Sequence, residues 1–281
     1  MSRASLADEI AAVRSLCRKL GLGDVAPTLL KAAHHTTLLI LPRSIVARVQ
    51  SSEPPETARR LAVKELAVTR HLARHGAPVL APLDDGLAGP HVAPLGVVTL
   101  WPYIEHARTA EDADAPLAAS TLVSVHVALR SFAVPLPPYT DALDHCWQVL
   151  ADGGVSAVLP RDDRDLLATH YRRLRHEIDN SAASRTPLHG DVHLGNLLFD
   201  RHSPWWIDFE DACVGPVEQD IAGLPSTVWP LFADADQALI QRFAELKSVC
   251  VAVWCWADMS RSAEVREAAE YHLQQVRELP L

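Results

Sequence analysis

Residues 5–20 repeat apolar side chains at helical spacing, with Leu6, Ile10, Val13, Leu16 and Leu20 on one face. Gly21 and Gly23 end that helix. Three short extended runs follow, PTLLKAA, TTLLIL and SIVARVQ, and Pro42-Arg43-Ser44 makes the turn between the last two. SSEPPET at 51–57 reads as a loop and a helix start. Residues 58–74 form a second helix, which Gly76 and Pro78 close. Its apolar stripe of Leu61, Val68 and Leu72 also contains Glu65, at spacings of 4, 3 and 4. Another pair of strands ends in GVVTLWPYIE at 96–105.

After residue 105 the period changes. Helical patterns run over about 115–132, 141–150, 162–179, 236–257 and 261–277. Only NLLFD and WWIDF interrupt them, as short strands around a turn at Arg201–Pro204. The expectation is an α+β chain: a β-rich part over residues 1–103 and a larger, mostly helical part over 104–281, joined near Trp101–Glu105.

Composition narrows the class. The chain has 281 residues, enough for one large domain or two lobes. Hydrophobic residues make up 48% and charged residues 22%, as in an ordinary globular protein. A formal charge of -9 argues against a duplex-DNA binder working by phosphate neutralisation, so no nucleic-acid partner is expected. The five cysteines (17, 146, 213, 250 and 255) include no C-x-x-C pair, so the expected setting is a reducing cytoplasm. The N-terminal stretch carries Asp8 and Glu9 and reads as no signal peptide. SVCVAVWCWA is too short to span a bilayer, so no membrane partner is expected either.

Chemistry concentrates in TPLHGDVHLGNLLFD, residues 186–200. His189, Asp191 and His193 suit a metal-dependent hydrolase, with His202 nearby. Strong zinc signals, however, use helical i, i+4 histidines or cysteines, whereas Gly190 and Gly195 mark an irregular loop. That reading also leaves Asn196 and Asp208 without a role. Phosphoryl transfer uses all three acidic and amide positions. A hard cation takes an Asn amide oxygen and an Asp carboxylate, and a second Asp meets the attacking hydroxyl.

The loop HGDVHLGN and the strand WIDFEDACVGPVEQDIA resemble the aminoglycoside phosphotransferase and choline kinase branch of the protein-kinase-like superfamily. The order H-G-D-x-H-x-x-N, then I-D-F, then G-P-x-x-x-D carries the resemblance, and these motifs cover residues 188–222. It implies a bilobal protein-kinase-like fold. It also implies transfer of the γ-phosphate of ATP, or GTP, to a hydroxyl of a small acceptor, cationic acceptors included. Asp191 would be the catalytic aspartate facing that hydroxyl, and Asn196 and Asp208 would bind Mg²⁺. His189 would brace the loop. Asp220 would tie the loop down or cap the following helix; a simple N-cap is the plainer reading. His193 reads as a packing or hydrogen-bonding side chain. A catalytically silent nucleotide-binding relative is the rival class.

A kinase-like N-terminal part needs a cation for the nucleotide phosphates and an acid to hold it. Glu65 on a buried face needs a partner, and Arg48, within SIVARV, is the natural one; Lys31 is the other candidate, and a purely structural pair the plainer reading. The family commonly has Lys at that strand position. Arg keeps the charge but is bulkier and less point-like. No Gly-rich phosphate loop is present; AAHHTTLL at 32–39 stands there, with Thr36 and Thr37 offering hydrogen-bond donors to phosphate and His34 and His35 as solvated turn residues. TLWPYIE at 99–105 would offer backbone groups to the base, with Trp101 and Tyr103 either beside it or only packing. Trp205, Trp206, Phe209 and Cys213 read as core; Glu210 and Asp211 read as solvated or as attracting a cationic substrate.

Overall fold

A computed structural model describes residues 5–32, 35–105, 108–152, 159–200, 203–259 and 263–280. Packing divides the chain into two compact units. One comprises Met1–Ala133 and His193–Ala212, the other Val134–Val192 and Cys213–Leu281.

The first unit opens with helix α1, Leu6–Lys19, whose first turn is capped by the Ser5 hydroxyl accepting from the Asp8 N–H. Strands β1 (Ala26–Ala32), β2 (Thr36–Leu41) and β3 (Ile45–Gln50) follow. The Pro42–Ser44 turn joins the last two, with Ser44 at φ 49°. Helix α2 spans Pro55–Arg74, with proline in its first turn, where a missing N–H costs nothing. Strands β4 (His91–Ala93) and β5 (Gly96–Pro102) complete an antiparallel sheet in the order β1-β2-β3-β5-β4. Alternation along β3 is what positions the site. Ile45, Ala47 and Val49 enter a core with Leu38, Ile40, Val98 and Leu100, beneath Val13 and Cys17 of α1. Arg48 and Gln50 therefore point to the opposite face.

Two further pieces pack with this unit. Helix α3, Ala115–Leu129, follows the two-residue strand β6, Arg108–Thr109. Strands β8 (Leu197–Phe199) and β9 (Pro204–Trp206) form a hairpin that joins β6 in a three-stranded sheet. Residues 201–202 of the expected turn lie outside the described residues, as does His34. Trp206 is fully buried and donates its indole N–H to Thr121 Oγ1 at 3.1 Å. Its backbone N–H reaches the Pro78 carbonyl at 2.8 Å, which anchors the hairpin behind α2.

The second unit is mostly helical: α4 (Thr140–Ala151), α5 (Arg161–Asp179), α6 (Val217–Ile221), α7 (Gln237–Ala257) and α8 (Ala263–Arg277). Leu167, Tyr171, Leu174 and Ile178 of α5 meet Leu246, Val249 and Val253 of α7 in its core. Here one expectation is corrected. A second ladder interrupts the helices: β7 (Arg185–Leu188) pairs antiparallel with β10 (Cys213–Pro216). Pro187, Gly215 and Pro216 within eight paired residues gave it no strand-like signature. Its buried Leu188 and Cys213 hold it in the core.

Candidate active site

In the first unit the site is built on one guanidinium. Arg48 Nη1 donates to Glu65 Oε1 at 2.5 Å and Nη2 to Asp208 Oδ1 at 3.0 Å; Glu210 Oε2 lies 3.8 Å from Nη2. Glu65, on the buried face of α2, is only 1% exposed, so its charge has no recourse to water. Burial pushes its carboxyl up, and the Arg48 guanidinium bonded to it pulls the other way. The three carboxylates hold the Arg48 guanidinium above its ordinary value although burial opposes them. Lys31, the other candidate cation, sits exposed on the edge strand β1.

Asn196 and Asp208 stand at the same end of the β8–β9 hairpin. Leu197 pairs with Trp206, and just beyond, the Ile207 N–H donates to the Asn196 carbonyl at 3.0 Å. Asp208 takes a left-handed backbone, φ 69° and ψ 61°, which costs a non-glycine residue about 1 kcal/mol. The turn Phe209–Asp211 then packs on α2, where Lys64 Nζ donates to the Ala212 carbonyl at 3.1 Å.

Glu210 and His35 depart from expectation. Glu210 is buried: both its oxygens lie 2.8 Å from His35 Nε2, and Gln50 Nε2 donates to Oε2 at 2.9 Å. His35 is 6% exposed and thus no solvated turn residue. Its run of polar neighbours conceals a partner 175 positions away in sequence. Asp211 is exposed. Gln50 was missed too, although its register two residues after Arg48 puts it on the same face of β3.

The remaining positions of this unit are structurally plain. Thr36 is buried at the start of β2. The Trp101 side chain packs with Leu66 and Ala88, its indole N–H donating to Thr99 Oγ1 at 2.9 Å. The Tyr103 N–H is taken by the Ser44 carbonyl at 3.0 Å.

In the second unit the HGD loop hangs on Asp220. This carboxylate, 1% exposed, accepts the N–H of His189 at 2.8 Å on Oδ2 and that of Gly190 at 2.9 Å on Oδ1. Asp220 lies inside α6, whose N-cap is Pro216, so it ties the loop and caps no helix. His189 is fully buried, and its Nδ1 accepts the Asp191 N–H at 3.4 Å. Gly190 has φ 91°, a conformation that side chains rarely adopt. Lys247 of α7 reaches the loop from the other side, 3.4 Å from Asp191 Oδ1 and 2.8 Å from the Val192 carbonyl. In sequence it stands beside Leu246, Val249 and Cys250, which are buried, in a helix that also carries Arg242 and Glu245.

Among the described residues no three His, Cys, Asp or Glu side chains are grouped to hold a metal ion. The hydrolase triad of His189, Asp191 and His193 therefore gains no support. An amide and a carboxylate oxygen, those of Asn196 and Asp208, remain as hard donors at one hairpin end. Such a sparse set fits a cation that keeps water and takes further oxygens from a ligand.

The comparisons decide the family. Residues 32–260 match the phosphotransferase enzyme family. The chain belongs to it. No curated protein matches by sequence. The fold is protein-kinase-like, shared with solved kinases at low identity. A choline/ethanolamine kinase family protein from Mesorhizobium loti is 14% identical, with TM-score 0.66 over 98% of this chain and 96% of that one. Aminoglycoside 2'-phosphotransferase-IIIa, solved with GDP, gives 14% and 0.66 over 98% and 99%. Amicoumacin kinase, in complex with AMP-PNP and Ca²⁺, gives 14% and 0.62 over 90% and 88%. Sequence and fold thus agree on a kinase-like phosphotransferase.

Two outcomes test this geometry. Glu65→Ala leaves Arg48 without its most buried partner and should cost about 3 kcal/mol in urea unfolding. A cycle with Arg48→Met should show a coupling of about 0.5–3 kcal/mol, and additive losses would mean the two do not interact. Asp220→Ala strands the buried His189 N–H and the half-buried Gly190 N–H, and a loss of about 1–3 kcal/mol is expected by the same measurement. An unchanged midpoint would refute the tie.

Proposed function

We propose that this phosphotransferase moves the γ-phosphate of ATP, with GTP as a possible donor, to a hydroxyl of a small acceptor. The observation that carries the reading is Arg48, drawn to Glu65 and Asp208 together. A cation locked to an α2 carboxylate and beside the I-D-F acid is what nucleotide phosphates need on one side of a transfer site. Residues 1–103 would bind the nucleotide, with Thr36, Trp101 and Tyr103 near its phosphates or base; residues 104–281 would carry catalysis and the acceptor.

Asn196 and Asp208 are the residues that would hold Mg²⁺, which neutralises phosphate oxygens when bound. Glu65 orients Arg48 toward the phosphates. Asp191 orients the acceptor hydroxyl and takes its proton onto a carboxylate oxygen. The hydroxyl oxygen bonds to the γ-phosphorus as the bond to the β–γ bridging oxygen breaks, leaving a nucleoside diphosphate. His189 and Asp220 keep Asp191 in place. Choline, ethanolamine and aminoglycosides, named for the similar kinases, are cationic alcohols. That favours a cationic acceptor here, and the cytoplasm, where ATP is abundant, as the setting. Among the described residues no helix is long and apolar enough to cross a membrane.

The test starts from ATP consumption against amino alcohols, aminoglycosides, peptide antibiotics and nucleosides. With the acceptor found, Asp191→Asn should lower kcat at least about 100-fold, the scale of a lost base or orienting group. ATP·Mg affinity should stay near the wild-type value. Zinc bound stoichiometrically by the wild type and lost in the variant, with no ATP binding by either, would establish the hydrolase instead.

A further inference from the structure

Lys247 is one of four lysines in the chain, with Lys19, Lys31 and Lys64. It interrupts the apolar run of α7, whose neighbouring Leu246, Val249 and Cys250 are buried. Its ammonium donates to the Val192 carbonyl at 2.8 Å and lies 3.4 Å from Asp191 Oδ1. The pair is half-open, with side chains 34% and 39% exposed, so water screens it and its contribution to stability is small. Its value is orientation.

The surroundings explain why orientation is needed there. Asp220 fixes the loop at His189 and Gly190, two residues and one residue before Asp191. Past α6 the chain runs so close to Val192 that a Cβ at Gly223 would stand 1.8 Å from the Val192 carbonyl oxygen. That carbonyl is thereby held where Lys247 reaches it. His272 of α8 lies close enough to Lys247 for their charges to interact. Burial, and then the charge of Lys247, hold its imidazole below the ordinary value. Its Nδ1 is buried without a hydrogen-bond partner.

We propose that Lys247 is a positioning residue for Asp191. This rests on the kinase reading of Asp191. Bonded to a fixed carbonyl and to one carboxylate oxygen, the ammonium sets the direction of the carboxylate toward the acceptor hydroxyl. Its positive charge weakens Asp191 as a base. In a largely dissociative transfer, proton removal is late and placement counts more, so the net effect on turnover is favourable.

Two measurements separate this proposal from the reading it rests on. In the assay with the identified acceptor, Lys247→Met should lower kcat about tenfold or more, because a misplaced orienting group costs rate. KM for ATP should stay within about twofold, since the lost interaction is not with the nucleotide. Lys247→Arg should restore most of the rate. The double variant with Asp191→Asn should be no slower than Asp191→Asn alone, because Lys247 acts through that carboxylate. A wild-type kcat in Lys247→Met, or single effects that multiply in the double variant, would overturn the proposal.

The second measurement needs no turnover. Reductive methylation of the four lysines, followed by peptide mass spectrometry, reads the reactivity of Lys247 with the others as internal controls. Asp191→Asn should speed its methylation about twofold or more, as a charge-assisted hydrogen bond is weakened, and leave Lys19 unchanged. Equal rates would refute the contact itself. A faster Lys247 in Asp191→Asn, combined with no ATP consumption by the wild type on any acceptor, would instead sink the kinase reading and the proposal with it.

Discussion

A guanidinium among three carboxylates is the constraint on which the first unit turns. Arg48 cannot leave the face of β3, because the alternate residues Ile45, Ala47 and Val49 are committed to the core beneath α1. Glu65 cannot leave the buried face of α2. Their charges must therefore meet, and the meeting fixes α2 against the sheet. Asp208 and Glu210 then arrive from the β8–β9 hairpin with more negative charge than one arginine offsets. His35 and Gln50 take up part of it through hydrogen bonds to Glu210. Arg48 is thereby the point at which α2 and the β8–β9 hairpin both engage the sheet.

The second unit solves a different problem by similar means. Its HGD loop is irregular, with backbone N–H groups that no ladder serves, and buried N–H groups need acceptors. Asp220 supplies them from α6, while Lys247 takes the Val192 carbonyl from α7. The loop is thus held by charged side chains rather than by sheet or helix. Side-chain bonds of this kind fix Asp191 without surrounding it with regular structure.

Where hydrophobic period ran over many residues, the sequence was a good guide. Helix α2, the three strands β1 to β3 and the long helices α5 and α7 lie close to where their patterns place them, because a face repeated over several turns admits one burial. The β7–β10 ladder escaped notice because four-residue strands containing proline carry no period. Within the site, Arg48 and Glu65 were legible as a buried charge requiring a partner. His35–Glu210 and Lys247–Asp191 were not. Each joins residues far apart in sequence, and nothing local in a polar loop or a single helical lysine names the other end.

Asp208, beside Arg48 and at the hairpin end shared with Asn196, is the residue proposed to serve a metal-bound nucleotide. Isothermal calorimetry of ATP binding with and without Mg²⁺, on wild type and Asp208→Ala, tests this role most directly. Mg²⁺-dependent binding by the wild type is expected. Affinity should be lower by about tenfold or more in Asp208→Ala, the scale of a disturbed metal site, with the thermal unfolding transition retained. Equal Mg²⁺-dependent affinity in the two proteins would contradict this role.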